Sequence, residues 1–405
     1  DGGEQAAVTQ ARDHHHIGEP AQPDGERVTP SGVRPRVVIA GLGDSGLLTA
    51  IRLSRFADVV GVSAKPALVS GQELGVRLTR PTEWARDYLV PFDRYRGLDG
   101  VRTVHARLTG LDLAARTVHA QAPDGAQVAE PFDALVISTG VSNGFWRRPD
   151  LQTPAEIAGD LAAVHRRLAS ARSVAVIGGG AAAVSAAANI AAQWPDTRVG
   201  LYYPRERPLV EHHPRTWEHL RRRLIRLGVG LHPGHRAVLP DGFVADAITT
   251  GPVSFGTAQP PAEADAVLWA IGRARPNTEW LPPALLDADG YVTVTKELRV
   301  PGHRGVFAIG DVAATDPLRS SARNRADRLL AHNIRAELAG RPLRSYRAPR
   351  NRWGSVIGVQ SDGVEVFAPN GRAYRIPRRV VDAVLIPLIV RRGIYRGVRP
   401  NRPLG

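Results

Sequence analysis

The sequence predicts an α/β chain built on two doubly wound, Rossmann-like units, followed by a small α+β segment. Three observations carry this. An apolar strand, a glycine turn and an apolar helix run together in RVVIAGLGDSGLLTAIRL (36–53). The same order returns in SVAVIGGGAAAVSAAA (173–188), as in an internally duplicated βαβ unit. From residue 351 the pattern changes to short alternating strands punctuated by Asp362–Gly363 and Asn370–Gly371, which reads as hairpins.

The elements follow in chain order. Residues 1–34 are rich in Gly, Pro, Asp and Gln and read as a disordered tail. RVVIA (36–40) is a buried strand, LLTAIRLSRF its helix and DVVGV (58–62) the second strand. FDALVIST (132–139) is a later strand that ends at Thr139–Gly140. The plan restarts at residue 172, with the helix AAAVSAAANIAAQW and the strands TRVGLYY (197–203) and ADAVLWAIG (264–272). GVFAIGD (305–311) is a further buried strand, and RADRLLAHNIRAELAG (325–340) is a helix closed by Gly340. The strands SVIGVQ, VEVFA and RAYRIP lead to a terminal segment in which Asp382 and Pro387 are expected to break the apolar run. The expected domains are 35–150 with 268–345, an inserted unit at 151–267, and a terminal domain at 346–405.

Composition excludes several chemistries. Cysteine is absent, so there is no disulfide, thiolate metal site or cysteine nucleophile. Methionine is absent too, so Asp1 is not read as the native start. No metal site is expected, because the histidines lack an acidic partner set and His14–His16 sit in the tail. No apolar run is long enough to cross a bilayer and no apolar leader precedes the first strand, so a cytoplasmic location is expected. The net charge is +14, yet the arginines are spread from end to end and Lys65 and Lys296 are the only lysines. A nucleic-acid face gathers its charge, so such a partner is not expected.

The glycine turns carry the site. In GLGDSG, Gly41 permits the tight turn, Gly43 lets a diphosphate approach, and Gly46 lets helix and strand pack closely. The diphosphate then lies on the helix start. The second strand ends in Ser63 where an acidic residue usually holds the ribose, with Lys65 nearby. The second turn is Gly178, Gly180 and Ala183, and its second strand ends at Tyr203, followed by Arg205 and Arg207. Two arginines without a strand-end carboxylate lean toward NADPH over NADH. Asp311 follows Gly310 at the C-terminal edge of its strand, where ligands of open sheets bind. GRARPNT (272–278), beginning with Gly272, ends the preceding strand.

In this order GLGDSG, STG (138–140), VIGGGAAA, AIGRARPNT and AIGD resemble the pyridine-nucleotide flavin oxidoreductases with two dinucleotide-binding domains. Within them, AIGDVAATDP, AHNIRAELAGRPLRSY and WGSVIGVQSDGVEVF resemble the apoptosis-inducing-factor-like branch, with ferroptosis suppressor protein and type II NADH dehydrogenases. The resemblance implies FAD on Gly41, Gly43 and Gly46, with Asp311 on its ribityl chain. It implies NAD(P)H on Gly178, Gly180 and Ala183, and a domain crossing at Thr139–Gly140. Ser63, Tyr203 and Ser185 depart from the acidic residues often found there. No catalytic side chain is assigned; Glu83, Trp84, Tyr88 and Trp353 are the candidates for an acceptor wall.

Without cysteine, electrons leave the flavin directly. The expected acceptor is quinone-like or another small molecule. The alternatives are a ferredoxin- or rubredoxin-like protein, and a low-turnover scaffold that senses NAD(P)H or binds polyanions. Residues 379–398 mix apolar and basic side chains, and peripheral membrane contact through them is one expectation.

Overall fold

The structure, a computed structural model, describes residues 34–69, 74–142, 149–243, 248–271, 275–314, 326–347 and 353–400. Residues 1–33 of the expected tail, and Gly272, lie outside them.

The first parallel sheet has the strand order Val306–Ala308, Ala134–Ile137, Arg36–Ala40, Asp58–Ser63, Val101–His105. Its central strand is apolar throughout because both faces are covered. Val37 and Ile39 pack with Leu47, Ile51, Leu330 and Ile334 of the helices Asp44–Leu53 and Ala326–Leu338. Val38 and Ala40 face the opposite cluster, with Val118, Phe132 and Trp280.

The second sheet has the order Gly230–His232, Arg198–Tyr202, Ser173–Ile177, Ala266–Trp269, Ile248–Thr249, with only the last pairing antiparallel. Val174 through Ile177 are buried, and so is most of the alanine-rich helix Ala181–Gln193. Ala266–Trp269 pairs in register with Val174–Ile177. The boundary expected at 267/268 therefore falls inside a strand, and the second unit runs at least to Trp269.

Two short strands join the units. Val141–Ser142 pairs antiparallel with Arg275–Pro276. Asn277 clamps this crossing: its amide donates to the Thr139 carbonyl at 2.9 Å, and its Oδ1 accepts from Ser142 at 2.7 Å. Its backbone carbonyl accepts from the Thr139 hydroxyl at 2.7 Å.

The C-terminal strands Val359–Gln360, Gly363–Phe367 and Ala373–Pro377 form a meander. It packs on the helix Pro214–Arg226, where Arg223 and His219 both reach Glu365. Asp382 and Pro387 interrupt the apolar run as expected, but they do not end the helix. The helix runs on from Val381 to Ile394 in the wider π winding, which accommodates a proline without an i→i−4 hydrogen bond.

Asn189, only 2 % exposed, joins three parts of the chain. Its amide nitrogen donates to the Ser185 and Ile357 carbonyls, and its Oδ1 accepts from Arg80 at 3.3 Å and Gln360 at 3.1 Å. Replacement by alanine removes four buried hydrogen bonds at once, while Arg80 and Gln360 keep those they make to the Val359 and Ile357 carbonyls. Asn189→Ala is expected to lower stability by about 2–4 kcal/mol. Urea unfolding followed by circular dichroism checks this, and an unchanged midpoint would refute it.

Candidate functional site

Both glycine turns are built the same way. The Gly41 N–H donates to the Val62 carbonyl at 2.9 Å, and the Gly178 N–H to the Tyr202 carbonyl at 2.9 Å. Each bond ties the turn to the end of the second strand of its unit. Gly41 has φ +99 and Gly178 φ +145, conformations that side chains rarely adopt. A Cβ on Gly41 would stand 2.6 Å from the Ser138 carbonyl oxygen, and one on Gly178 would stand 2.3 Å from that of Ala270. A Cβ on Gly46 would stand 1.9 Å from the Gly41 oxygen, so this helix meets its turn at backbone contact. In the second turn Ala183, fully buried, holds the equivalent place.

The middle glycines differ in kind. A Cβ on Gly43 or Gly180 would meet nothing within 4 Å. Each caps a helix start that receives no side-chain hydrogen bond. Such a start presents backbone N–H groups and a positive dipole end. In the first turn the Ser45 hydroxyl, in a residue 7 % exposed, also finds no partner among the described residues. Open space above a glycine, N–H groups and a buried hydroxyl fit the diphosphate of a dinucleotide.

The remaining first-unit candidates follow the C-terminal ends of strands in the same sheet as that turn. Ser63 ends its strand and accepts the Lys65 N–H at 3.3 Å. Lys65 is buried, and its ammonium donates to the Asp150 carbonyl at 3.3 Å. Gly310, with φ +85, turns the chain after Val306–Ala308 and sets Asp311, 6 % exposed, at that strand's C-terminal edge. Thr139 and Gly140 lie in the Asn277 clamp, so they hold the crossing itself.

In the second unit an open cleft of about 630 Å³ lies beside the turn, lined by Pro204, Arg205, Glu206, Arg207, Val210 and Gly234. The two arginines divide their work. Arg207 donates to the Leu209, Val210 and His212 carbonyls and so shapes the loop, which the Leu209 N–H pins to Gly179. Arg205 lines the cleft. Tyr203 does not: its ring is 3 % exposed and packs edge-on to Trp217, with burial raising its pKa. Its phenol is committed to the core. Tyr202 instead stacks on His232 at 4.2 Å, and burial holds that imidazole below its ordinary pKa.

Of the acceptor-wall candidates, Glu83, Trp84 and Tyr88 line one small pocket with Arg378 and Val381, and Trp353 is not part of it. Glu83 pairs with Arg80 and Arg378. Trp84 is 1 % exposed, beneath Arg77 and beside Tyr88. Trp353 stands far more exposed, against Tyr374. Sequence reasoning missed Ser45, Asn277 and Asn189. The first was legible as a hydroxyl inside the turn; the other two depend on partners far along the chain. No group of acidic and histidine residues able to hold a metal occurs among the described residues.

A family model described as pyridine nucleotide-disulphide oxidoreductase matches residues 35–333. Ferroptosis suppressor protein 1 of Xenopus tropicalis is 24% identical over 82% of this chain and 88% of its own length. Oxidoreductase ptaL of Pestalotiopsis fici is 24% identical over 67% of this chain and 72% of its own. Among solved structures, the water-forming NADH oxidase of Lactobacillus brevis bound to NADH shares the fold, with TM-score 0.61 and 16% identity. That match covers 82% of this chain and 75% of the oxidase.

The contrast between glycines gives a test. Gly43→Ala is expected to leave the unfolding midpoint unchanged yet weaken dinucleotide binding at the first turn by about tenfold or more. Gly46→Ala is expected to lower the midpoint itself. Thermal unfolding and FAD titration of both variants check this, and equal midpoints would refute it.

Proposed function

Because the chain belongs to the pyridine nucleotide-disulphide oxidoreductase family, we propose that it is an FAD-dependent NAD(P)H oxidoreductase. In this reading the unit with Arg36–Ala40 holds FAD and the unit with Ser173–Ile177 holds NAD(P)H. The observation that carries it is the pair of uncapped helix starts beneath open glycines, one in each unit. Bound FAD supplies an acceptor for hydride from reduced nicotinamide and a store for two electrons.

The chain's own residues hold and orient. Gly43 and the Ser45 hydroxyl receive the FAD diphosphate, and Asp311 accepts hydrogen bonds from hydroxyls of the ribityl chain. Gly180 receives the second diphosphate. Arg205, in the cleft beside that turn, contacts the 2′-phosphate, which makes NADPH the preferred donor. Arg207 serves by fixing the loop that presents Arg205. Asn277 keeps the crossing in register, so the two cofactors are presented to each other at one junction.

With no cysteine in the sequence, electrons leave without a thiol relay. The acceptor is a small quinone-like molecule, a reading supported by similarity to ferroptosis suppressor protein 1. Among the described residues no helix is long and apolar enough to cross a membrane. Val384, Leu388, Ile389 and Ile394 are exposed on the terminal helix, beside Arg391 and Arg392. That combination supports peripheral contact with an anionic membrane.

The test is a visible spectrum of the purified protein, then anaerobic addition of NADPH or NADH. Flavin bands that bleach on addition are expected, faster with NADPH. Arg205→Ala is expected to lower kcat/KM for NADPH about tenfold and leave NADH unaffected. Arg207→Ala is expected to impair both donors. A colourless protein that cannot take up FAD would overturn the reading.

A further inference from the structure

The last part of the chain, residues 391–399, forms a strap over the first unit. Arg391 donates to Asp87 at 2.9 Å. The Arg96 N–H donates to the Gly397 carbonyl at 3.0 Å, and the Arg399 N–H to the Arg94 carbonyl at 2.8 Å. The Arg399 guanidinium takes both oxygens of Asp99, at 2.8 and 2.7 Å. Between these anchors Tyr395 stands edge-on to the buried Tyr95, ring centroids 5.2 Å apart. Its hydroxyl donates to the Asp44 carboxylate at 3.2 Å, across 351 residues of sequence.

Asp44 is the first residue of the helix that begins at the open Gly43. A carboxylate in a first helical turn is drawn to the same positive end that takes a diphosphate, and the two anions repel each other. Where the Asp44 side chain points therefore bears directly on how well that helix start takes a phosphate. Burial pushes the Tyr395 phenol far above its ordinary pKa, so it stays a donor across the working pH range.

We propose that Tyr395 is a positioning residue for FAD, holding the Asp44 carboxylate toward the strap so that the helix start is left to the cofactor's diphosphate. The inference rests on the FAD reading above. It makes cofactor affinity depend on a docked C-terminal strap.

The experiment uses the full chain as wild type, Tyr395→Phe, Asp44→Asn and the double variant. Flavin is removed from each, FAD is titrated by quenching of its fluorescence, and the midpoint of the flavin-free protein is measured. Tyr395→Phe is expected to weaken FAD binding about tenfold, the scale of one hydrogen bond to a charged group. Its flavin-free midpoint is expected to stay near wild type. Asp44→Asn is expected to bind FAD at least as tightly as wild type, and adding Tyr395→Phe to it is expected to cost nothing further. Equal loss in both backgrounds means a merely structural strap and overturns the proposal. So does wild-type affinity in Tyr395→Phe, with the FAD reading intact. A wild-type protein that takes no FAD overturns the FAD reading and this inference together.

Discussion

A single backbone hydrogen bond, made twice, decides where the helix after each glycine turn begins. The N–H of the first glycine in each turn is donated to the end of the neighbouring strand, Gly41 to Val62 and Gly178 to Tyr202. That bond draws the turn under the C-terminal edge of its sheet, and the chain has no room for a side chain there. A Cβ at either glycine would enter the carbonyl of the strand on its other side. With the turn fixed between two strands, the helix must leave it directly, and its first N–H groups face outward without a side-chain cap. The uncapped helix start is thus a by-product of how tightly strand, turn and helix close on one another.

The two turns matter together only if their units are held in register, and buried polar side chains supply that. Asn277 binds both sides of the crossing, and Asn189 binds the first unit, its own helix and the C-terminal meander at once. A buried amide is costly unless every donor and acceptor is matched, which is why such a residue specifies one arrangement of its neighbours. The same junction accounts for Ser185. The helix Leu74–Thr79 lies so close that a Cβ on Gly75 would stand 2.3 Å from the Ser185 carbonyl, and the Gly75 N–H donates to the Ser185 hydroxyl at 3.3 Å.

What was legible in the sequence is what is encoded locally. Apolar runs flanked by glycine located the central strands of both sheets, because strands covered on both faces need side chains of one kind. The open middle glycines were legible for the same reason: the turn requires them within a few residues. The junction was not, since Asn189 meets partners up to 171 residues away and nothing near it in sequence marks it. Glu83 and Trp84 were legible as neighbours and share a pocket with Tyr88, whereas the distant partner of Glu83, Arg378, was not legible. Tyr203 misled because a strand's last residue can face either the ligand or the core, and here a tryptophan on the next helix claims it. The π winding through Pro387 was not legible, because a proline lacks its N–H in any helix type and so does not select one.

The charge of +14 now has a structural account that bears on function. Several arginines here bind the chain's own carbonyls and buried carboxylates. Arg116 donates to the Phe132, Asp133 and Arg304 carbonyls, Arg80 to that of Val359, and Arg94 to that of Arg399. Arg36 and Arg102 converge on the buried Glu130, and Arg52 meets the buried Asp327. A planar fork of donors suits such tasks. Guanidinium groups bound to internal carbonyls are not free to join an array for a polyanion. Lys65, one of only two lysines, is put to a similar use: it is buried, and its ammonium donates to the Asp150 carbonyl.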